Sequence, residues 1–433
     1  MTAEIAIMNK SGVALAADSA VTISSSGKDD QKVYNSANKL FSLSKHASVA
    51  IMVYDSASIM GVPWEVVIKS YRKKLDRNKF DYIKDYQKHF VQYLEQEWDC
   101  KEGEGEYVTQ MSVAMFFDVV ETIDTEVNKY IEKNKSIKDS EIRKICRSSI
   151  KLASDSWNEQ LKNSGHKAKE VTAIKTQYKD EIEELIDGIF EKRPLNKTDR
   201  SKLLHIAAIF AVITPGINNT GVVIAGYGEK EYFPSVYDFN IGKILNGNAS
   251  ISYNSPQRIT HDNKACILPF AQSAEVYTFM EGMGNKIQDY FFNNLSDILK
   301  TTYPSLLSEE MKKLLSLNDA DKKKVENLAA NMGEGVYDYI YNDLSNIRNN
   351  CYSRPVINAV SYLSAPDLSV MAETFVNLES FRKRVTFTSE TVGGPIDVLI
   401  ITKGDGLIWI KRKHYFNKEL NHHYFVNYFD EDS

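Results

Sequence analysis

Cysteine is scarce in this chain. The four present, Cys100, Cys146, Cys266 and Cys351, are too scattered for a CxxC pair or a regular disulfide framework. Reduced thiols in a cytoplasmic protein are the expectation. A basic excess is lacking too: 53 Lys+Arg against 58 Asp+Glu leave a formal net charge of −5, with no surplus to neutralise a phosphate backbone. Nucleic acid is therefore set aside as a partner. Met1-Thr2-Ala3-Glu4 opens without the basic-then-apolar order of a secretory signal. Long apolar runs are missing as well. The longest stretch without Asp, Glu, Lys or Arg, Leu203 to Gly228, is cut by Pro215-Gly216-Ile217-Asn218-Asn219 into pieces too short for a bilayer core of about 30 Å. A buried helix end followed by a buried strand is expected there, and no membrane partner. No glycine-rich dinucleotide or phosphate loop occurs, and no GxSxG elbow.

What is present is a globular composition, 43% hydrophobic and 26% charged over 433 residues, enough for a large core. At roughly 150 residues per domain the length alone suggests two or three domains. Ile5, Ile7, Val13 and Leu15 alternate around a turn at Asn9–Gly12, and Lys39–Leu43 pairs with Ser48–Val53 across Ser44-Lys45-His46 after a polar stretch at Ser24–Asp30. From Ser58 to about Phe210 the apolar spacing turns helical. Gly103-Glu104-Gly105 and Asn196–Asp199 are its predicted breaks. Within it Tyr71, Tyr82, Tyr86, Phe90, Tyr93, Leu94 and Trp98 form an aromatic stripe that faces either a core or an oligomer contact.

Strands are expected again at Thr220–Tyr227, Tyr232–Phe239 and Ala249–Tyr253, and helices from about Ile267 to Asn350 and Asp367 to Arg384, with a loop at Tyr352–Pro355. Lys403-Gly404-Asp405-Gly406 joins a last hairpin. Strands and helices in separate runs predict an α+β fold of sheets packed face to face between helical layers. The segments fall at 1–57 (first strands of the core), 58–210 (helical insertion or extension), 211–285 (central strands and helix), 286–355 (helical insertion) and 356–433 (last helix, hairpin and tail).

Threonine at position 2 is small enough for removal of Met1, which would make Thr2 the mature N-terminus. Such a residue carries a hydroxyl nucleophile and an α-amine base together, and the amine's ordinary pKa of about 8 suits it to take the hydroxyl proton.

Three blocks give this chemistry a context. Thr2–Ile7, Gly12-Val13-Ala14-Leu15-Ala16-Ala17-Asp18-Ser19-Ala20-Val21-Thr22 and Asn38-Lys39-Leu40-Phe41 resemble the amino-terminal signature of proteasome β-type subunits and their bacterial two-ring homologue. Gly221–Tyr227 with Tyr232–Asp238 is similar to that family's central hairpin, and Thr391–Gly406 to its carboxyl-terminal Gly-Gly turn and last hairpin. Together they cover roughly 100 to 130 residues. The resemblance implies a four-layer αββα sandwich of the N-terminal nucleophile hydrolases, here with large helical insertions. It further implies Thr2 as nucleophile, Lys39 beside the hydroxyl to lower its proton affinity, and Asp18 to orient Lys39.

Supporting positions depart from the family's pattern. Tyr54 and Asp55 stand where small residues are usual and a backbone N–H helps bind an oxyanion. Before Gly393 and Gly394 the pattern wants an acid and a serine; the strict register gives Ser389 and Val392, and a slip of one gives Glu390 and Thr391. Ser273 is the nearest candidate for a serine at the start of the helix after the central strands.

Cleavage of a peptide or other amide bond through an acyl-enzyme on Thr2 is the resulting expectation. It needs no cofactor, and the partners expected are a peptide or protein substrate, further copies of the chain as a homo-oligomer, and an unfoldase or regulator that the residues do not identify. A non-catalytic scaffold subunit, or an amidohydrolase acting on a small metabolite, stands beside it. His422-His423 near Asp430-Glu431-Asp432 lacks the fixed spacing of a metal site. Lys322-Lys323-Lys324 reads as surface charge pairing with Asp319 and Asp321.

Overall fold

The computed structural model describes residues 2–24, 31–216, 219–386, 392–414, 416–423 and 426. The first elements are strands: β1 (Ala3–Asn9), β2 (Gly12–Ala17), β3 (Val21–Ser24), β4 (Gln31–Tyr34), β5 (Leu40–Ser42), β6 (Val49–Tyr54), β7 (Ser58–Ile59) and β8 (Val62–Pro63). Seven helices follow, α1 (Trp64–Leu75), α2 (Ile83–Gln96), α3 (Lys101–Asn134), α4 (Asp139–Asn163), α5 (Ala168–Gln177), α6 (Lys179–Ile189) and α7 (Lys197–Ile213). Then come β9 (Thr220–Gly226), β10 (Ser235–Leu245), β11 (Asn248–Tyr253), β12 (Gln257–Arg258) and β13 (Ala265–Ala271). The rest comprises α8 (Ala274–Glu281), α9 (Asn285–Asp297), α10 (Tyr303–Leu315), α11 (Asp319–Arg348), α12 (Arg354–Val360), α13 (Ala365–Val385), β14 (Asp397–Thr402) and β15 (Gly406–Lys411). Wide π turns at Ile298–Thr302 and Asn349–Ser353 carry the chain from α9 to α10 and from α11 to α12.

Two sheets dominate. One runs β13-β1-β2-β14-β15 and the other β11-β10-β9-β6-β5, antiparallel throughout, with β12 paired to β10. Every residue of β1 and β2 is buried, because both faces of these strands are covered. Ala6, Met8, Val13, Leu15 and Leu399 point toward Ala50, Met52, Val223 and Ala225 of the second sheet. The alternate residues Ile5, Ile7, Ala14, Ala16 and Val398 pack on Leu368, Ala372, Phe375 and Val376 of α13. Period-two alternation sends neighbouring apolar side chains to opposite faces, so a strand covered on both sides reads as a continuous apolar run.

The outer face of the second sheet is covered by α1 and α2, where Trp64, Tyr71, Tyr86 and Phe90 meet Ile51, Val222, Ile224 and Phe239. Much of the aromatic stripe therefore faces a core, although Tyr82 is exposed. Helices α3 to α7 hold a separate cluster around Phe116, Ile150, Phe190 and Ile206.

Four local expectations fail, three of them for identifiable reasons. Gly103-Glu104-Gly105 does not break the helix but lies in the first turns of α3. A Cβ on Gly103 would stand 2.0 Å from the Met60 carbonyl oxygen, so this glycine permits close packing. The run at Ile267 is strand, not helix, with Ala3 opposite Ala271. Pro269 is tolerated there because β13 is an edge strand. Tyr352–Pro355 is helical, Pro355 taking the first turn of α12. The strand expected from Tyr232 begins at Ser235. Asn196–Asp199, by contrast, is a true helix boundary: the Asn196 side chain accepts from the Asp199 amide at 2.8 Å, and the Asp199 side chain accepts from the Asn196 amide at 3.2 Å.

Candidate active site

The open end of the two sheets gathers Thr2, Glu4, Asp18 and Lys39. Glu4 lies opposite Ala17 in the β1–β2 register, which brings the residue after β2 beside the start of β1. The Asp18 amide donates to the Ala3 carbonyl, and the Ala3 amide donates to Asp18 Oδ1, both at 3.1 Å. Oδ2 of Asp18 accepts from the amides of Ala20 at 3.2 Å and Gly393 at 2.9 Å. Ser19 and Gly393 are joined in turn, amide to carbonyl, at 3.1 Å. Gly394 has φ of 77°, and a Cβ there would stand 2.8 Å from Asn35 Cβ, so the turn needs a glycine.

Lys39 enters from the other sheet. Its carbonyl accepts from the Val53 amide at 2.9 Å, fixing its backbone against β6. Its side chain is buried, and the ammonium donates to Asp18 Oδ1 and stands 3.4 Å from Glu4 Oε1.

Thr2 is 3% exposed, and its carbonyl accepts from the Gln272 amide at 3.0 Å. Its hydroxyl makes no hydrogen bond of full geometry among the described residues. A buried hydroxyl left poorly bonded is costly, so its position here calls for an explanation.

Sequence reasoning missed Glu4. Its carboxyl is fully enclosed, and burial pushes its pKa up to about 8; Asp18 adds to the rise, while Lys39 and the nearby Thr2 hydroxyl oppose it. One cation balances one carboxylate, and Asp18 holds the lysine more closely, so Glu4 keeps its proton. The missed signal was periodic: Thr2, Glu4, Ala6 and Met8 alternate along β1, and the last two face the core between the sheets.

Asp55 has φ of 70°, in the left-handed region, at the position where the resemblance led to a small residue. Aspartate adopts this conformation more readily than most side chains do. Burial holds its carboxyl above the usual range. The Tyr54 ring stacks on Phe270 with centroids 5.5 Å apart and lies over Gly221, whose Cβ would be 1.8 Å from the ring. Burial raises the proton affinity of the Tyr54 hydroxyl, helped by Asp238, Asp55 and Glu4. A cavity of about 400 Å³ adjoins this corner, lined by Tyr54, Asp238, Asn254, Phe270, Ala271 and Tyr277 among others.

Ser273 follows the Gln272 amide that holds Thr2 and precedes α8 without a side-chain bond capping that helix. The Gly393 amide donates to Asp18. Met1, Ser389, Glu390 and Thr391 lie outside the described residues, as do Asp430, Glu431 and Asp432. Among the described residues no helix is long and apolar enough to cross a membrane.

No family model matches this chain, and no curated protein does. Among solved structures it is similar to an Anbu (Gly-1) mutant from Hyphomicrobium sp. strain MC1, at 8% identity and a TM-score of 0.26, over 100% of this chain and 98% of that one. So low a score carries no argument about the site, whose interpretation rests on its own residues. The mixed helices and antiparallel sheets are an α+β architecture.

Proposed function

We propose that this chain is an N-terminal threonine hydrolase of the proteasome-like class, cleaving amide bonds, in peptides above all, through Thr2 after Met1 is removed. The carrying observation is the conjunction at one sheet end of a buried Thr2 hydroxyl, which makes no hydrogen bond of full geometry among the described residues, with the Asp18–Lys39 ion pair. Covered on both outer faces by helices, the two sheets fit the αββα sandwich of N-terminal nucleophile hydrolases, with the segments 58–210 and 286–355 read as elaborations of one discontinuous core.

In this reading the Thr2 hydroxyl adds to the scissile carbonyl carbon while its proton passes to the Thr2 α-amine. The tetrahedral oxyanion is held by a backbone N–H of the Tyr54–Asp55–Ser56 turn. Collapse breaks the C–N bond, the amine leaves with the proton, and an ester on Thr2 remains. Water then adds to the ester, releasing the acid and restoring the hydroxyl. Lys39 favours the alkoxide by its charge, and Asp18 fixes that lysine. The cavity beside Tyr54 offers room for a substrate side chain.

The test is intact mass followed by treatment with a threonine-directed electrophile. A chain lacking Met1 and labelled at Thr2, with labelling and amide hydrolysis both absent in Thr2→Ala, is the expected result. Retained Met1, or undiminished hydrolysis by Thr2→Ala, overturns the proposal. An unlabelled chain with a free Thr2 would point to a scaffold subunit.

A further inference from the structure

Thr2, Lys39 and Asp18 account for the addition step, and Glu4 is left without a task. Its carboxyl is nonetheless fully enclosed. Beyond the 3.4 Å approach of the Lys39 ammonium, neither of its oxygens makes a hydrogen bond of full geometry among the described residues. Burying a carboxyl in this way costs free energy that a leucine there would avoid. Thr2 precedes Glu4 by two residues, which puts both side chains on the same face, and its hydroxyl lies near enough to weigh on the proton affinity of Glu4. Each of these poorly bonded groups supplies what the other lacks. A protonated carboxyl has an O–H to donate, and a hydroxyl oxygen has lone pairs to accept it.

Charge decides which form Glu4 holds. Facing it are Lys39 and Asp18, already joined to each other, the Tyr54 hydroxyl from β6 of the opposite sheet, and the Thr2 amine once Met1 is gone. Asp397 lies beyond Ala17 in the strand register and is neutralised by Lys413. With the amine neutral, as a base must be, a single cation faces two carboxyl groups, and Asp18 holds it more closely. Glu4 is then a neutral acid with its proton in place beside the nucleophile.

We propose that Glu4 is a catalytic residue of this site: its carboxylic O–H donates to the Thr2 hydroxyl oxygen, turns the hydroxyl hydrogen toward the α-amine, and holds the alkoxide as it forms. The inference rests on Thr2 being the nucleophile. As Thr2 Oγ bonds to the carbonyl carbon, its hydrogen passes to the amine while Glu4 keeps its own, so no further proton donor or acceptor is needed. A hydrogen bond to a charged oxygen is about twice as strong as one to a neutral hydroxyl. The gain therefore falls on the transition state, in addition and again when the ester expels Oγ. An ionised Glu4 would do the reverse, having no hydrogen to donate and a charge that repels the alkoxide.

The rate at which a threonine-directed electrophile labels Thr2 in the full chain, followed from about pH 6 to about pH 10, tests this beside Glu4→Gln and Glu4→Leu. In the wild type the rate should rise as the amine loses its proton and fall again as Glu4 loses its own. Glu4→Gln keeps a donor that cannot ionise, so it should react more slowly near neutrality yet lack the alkaline fall. Glu4→Leu should be slower near neutrality by about 10- to 100-fold. Its thermal midpoint should be unchanged or higher, because an apolar side chain replaces a poorly bonded acid. The same alkaline fall in Glu4→Gln, or a wild-type rate in Glu4→Leu, overturns the inference and leaves the Thr2 reading standing. Absence of labelling in the wild type overturns that reading and the inference with it. The carboxyl carbon resonance of Glu4, identified by its loss in Glu4→Gln, reads the proton without any activity. It should report a protonated acid at about pH 6, and an ionised one there overturns the inference.

Discussion

Lys39 bridges the two sheets: its ammonium stands 3.4 Å from Glu4 Oε1 on β1 while it donates to Asp18, and its backbone belongs to the strand pairing of the opposite sheet. One buried cation thus faces two carboxyl groups. The cluster is charge-balanced only while one carboxyl remains protonated.

Glu4 therefore gives stability a pH dependence. Its folded pKa of about 8 lies above the unfolded value of 4.5, so between those values the folded chain holds more protons and stability falls as pH rises. The benefit of the protonated carboxyl is full below about 4.5 and gone above about 8. Glu4→Gln should remove this slope, up to about 1.4 kcal/mol per pH unit. Denaturant midpoints of both proteins from pH 5 to pH 8 check this, and parallel curves would refute it.

Asp18→Asn keeps the shape but leaves Lys39 without its closest counter-charge. Breaking a buried pair from one side costs about 3–5 kcal/mol. Urea unfolding should show that loss, and electrophile labelling of Thr2 should fall with it, since Lys39 is no longer held.

Gly221 and Tyr54 should behave as a coupled pair. Gly221→Ala places a methyl group into the Tyr54 ring and should destabilise by several kcal/mol, well beyond the usual cost of about 1 kcal/mol. Tyr54→Ala made with it should recover much of the loss. Additive penalties in the double-mutant cycle would show that the ring does not lie over the glycine.

Lys243 closes the end of α7, its ammonium donating to the carbonyls of Ala211, Val212 and Thr214 at 2.6–2.7 Å. Lys243→Met leaves these acceptors without their donor and should cost about 3 kcal/mol. Burial also lowers the ammonium pKa to about 8 from 10.5. Between those values the unfolded chain holds more protons, so wild-type stability gains from this group as pH rises. The methionine variant should lack that gain in thermal melts from pH 8 to 10.

The sequence made Asp18 and Lys39 readable because their spacing from Thr2 echoes a known signature, and β1, β2, β6 and β9 because alternation or turns bound them. Glu4 stayed hidden because a lone acid in an apolar strand looks like a solvent-facing position until the second face is known to be covered. Strand β13 escaped because Pro269 and a continuous apolar run suit a helix start equally well, and only its edge position resolves them. Asp55 reads as a misfit for a glycine until its left-handed backbone shows a conformation that aspartate also adopts.

The hydrogen bond that the Gly393 amide donates to Asp18 spans 375 residues of sequence. At about 5–20 residues per second on the ribosome, roughly half a minute separates the synthesis of its two ends. Until β14 arrives, β2 has one edge unpaired and Asp18 lacks one of its donors. A nascent or prematurely ended chain therefore carries its threonine without the finished carboxylate seat for Lys39. Synthesis through β14 is in this sense the last step in assembling the cluster.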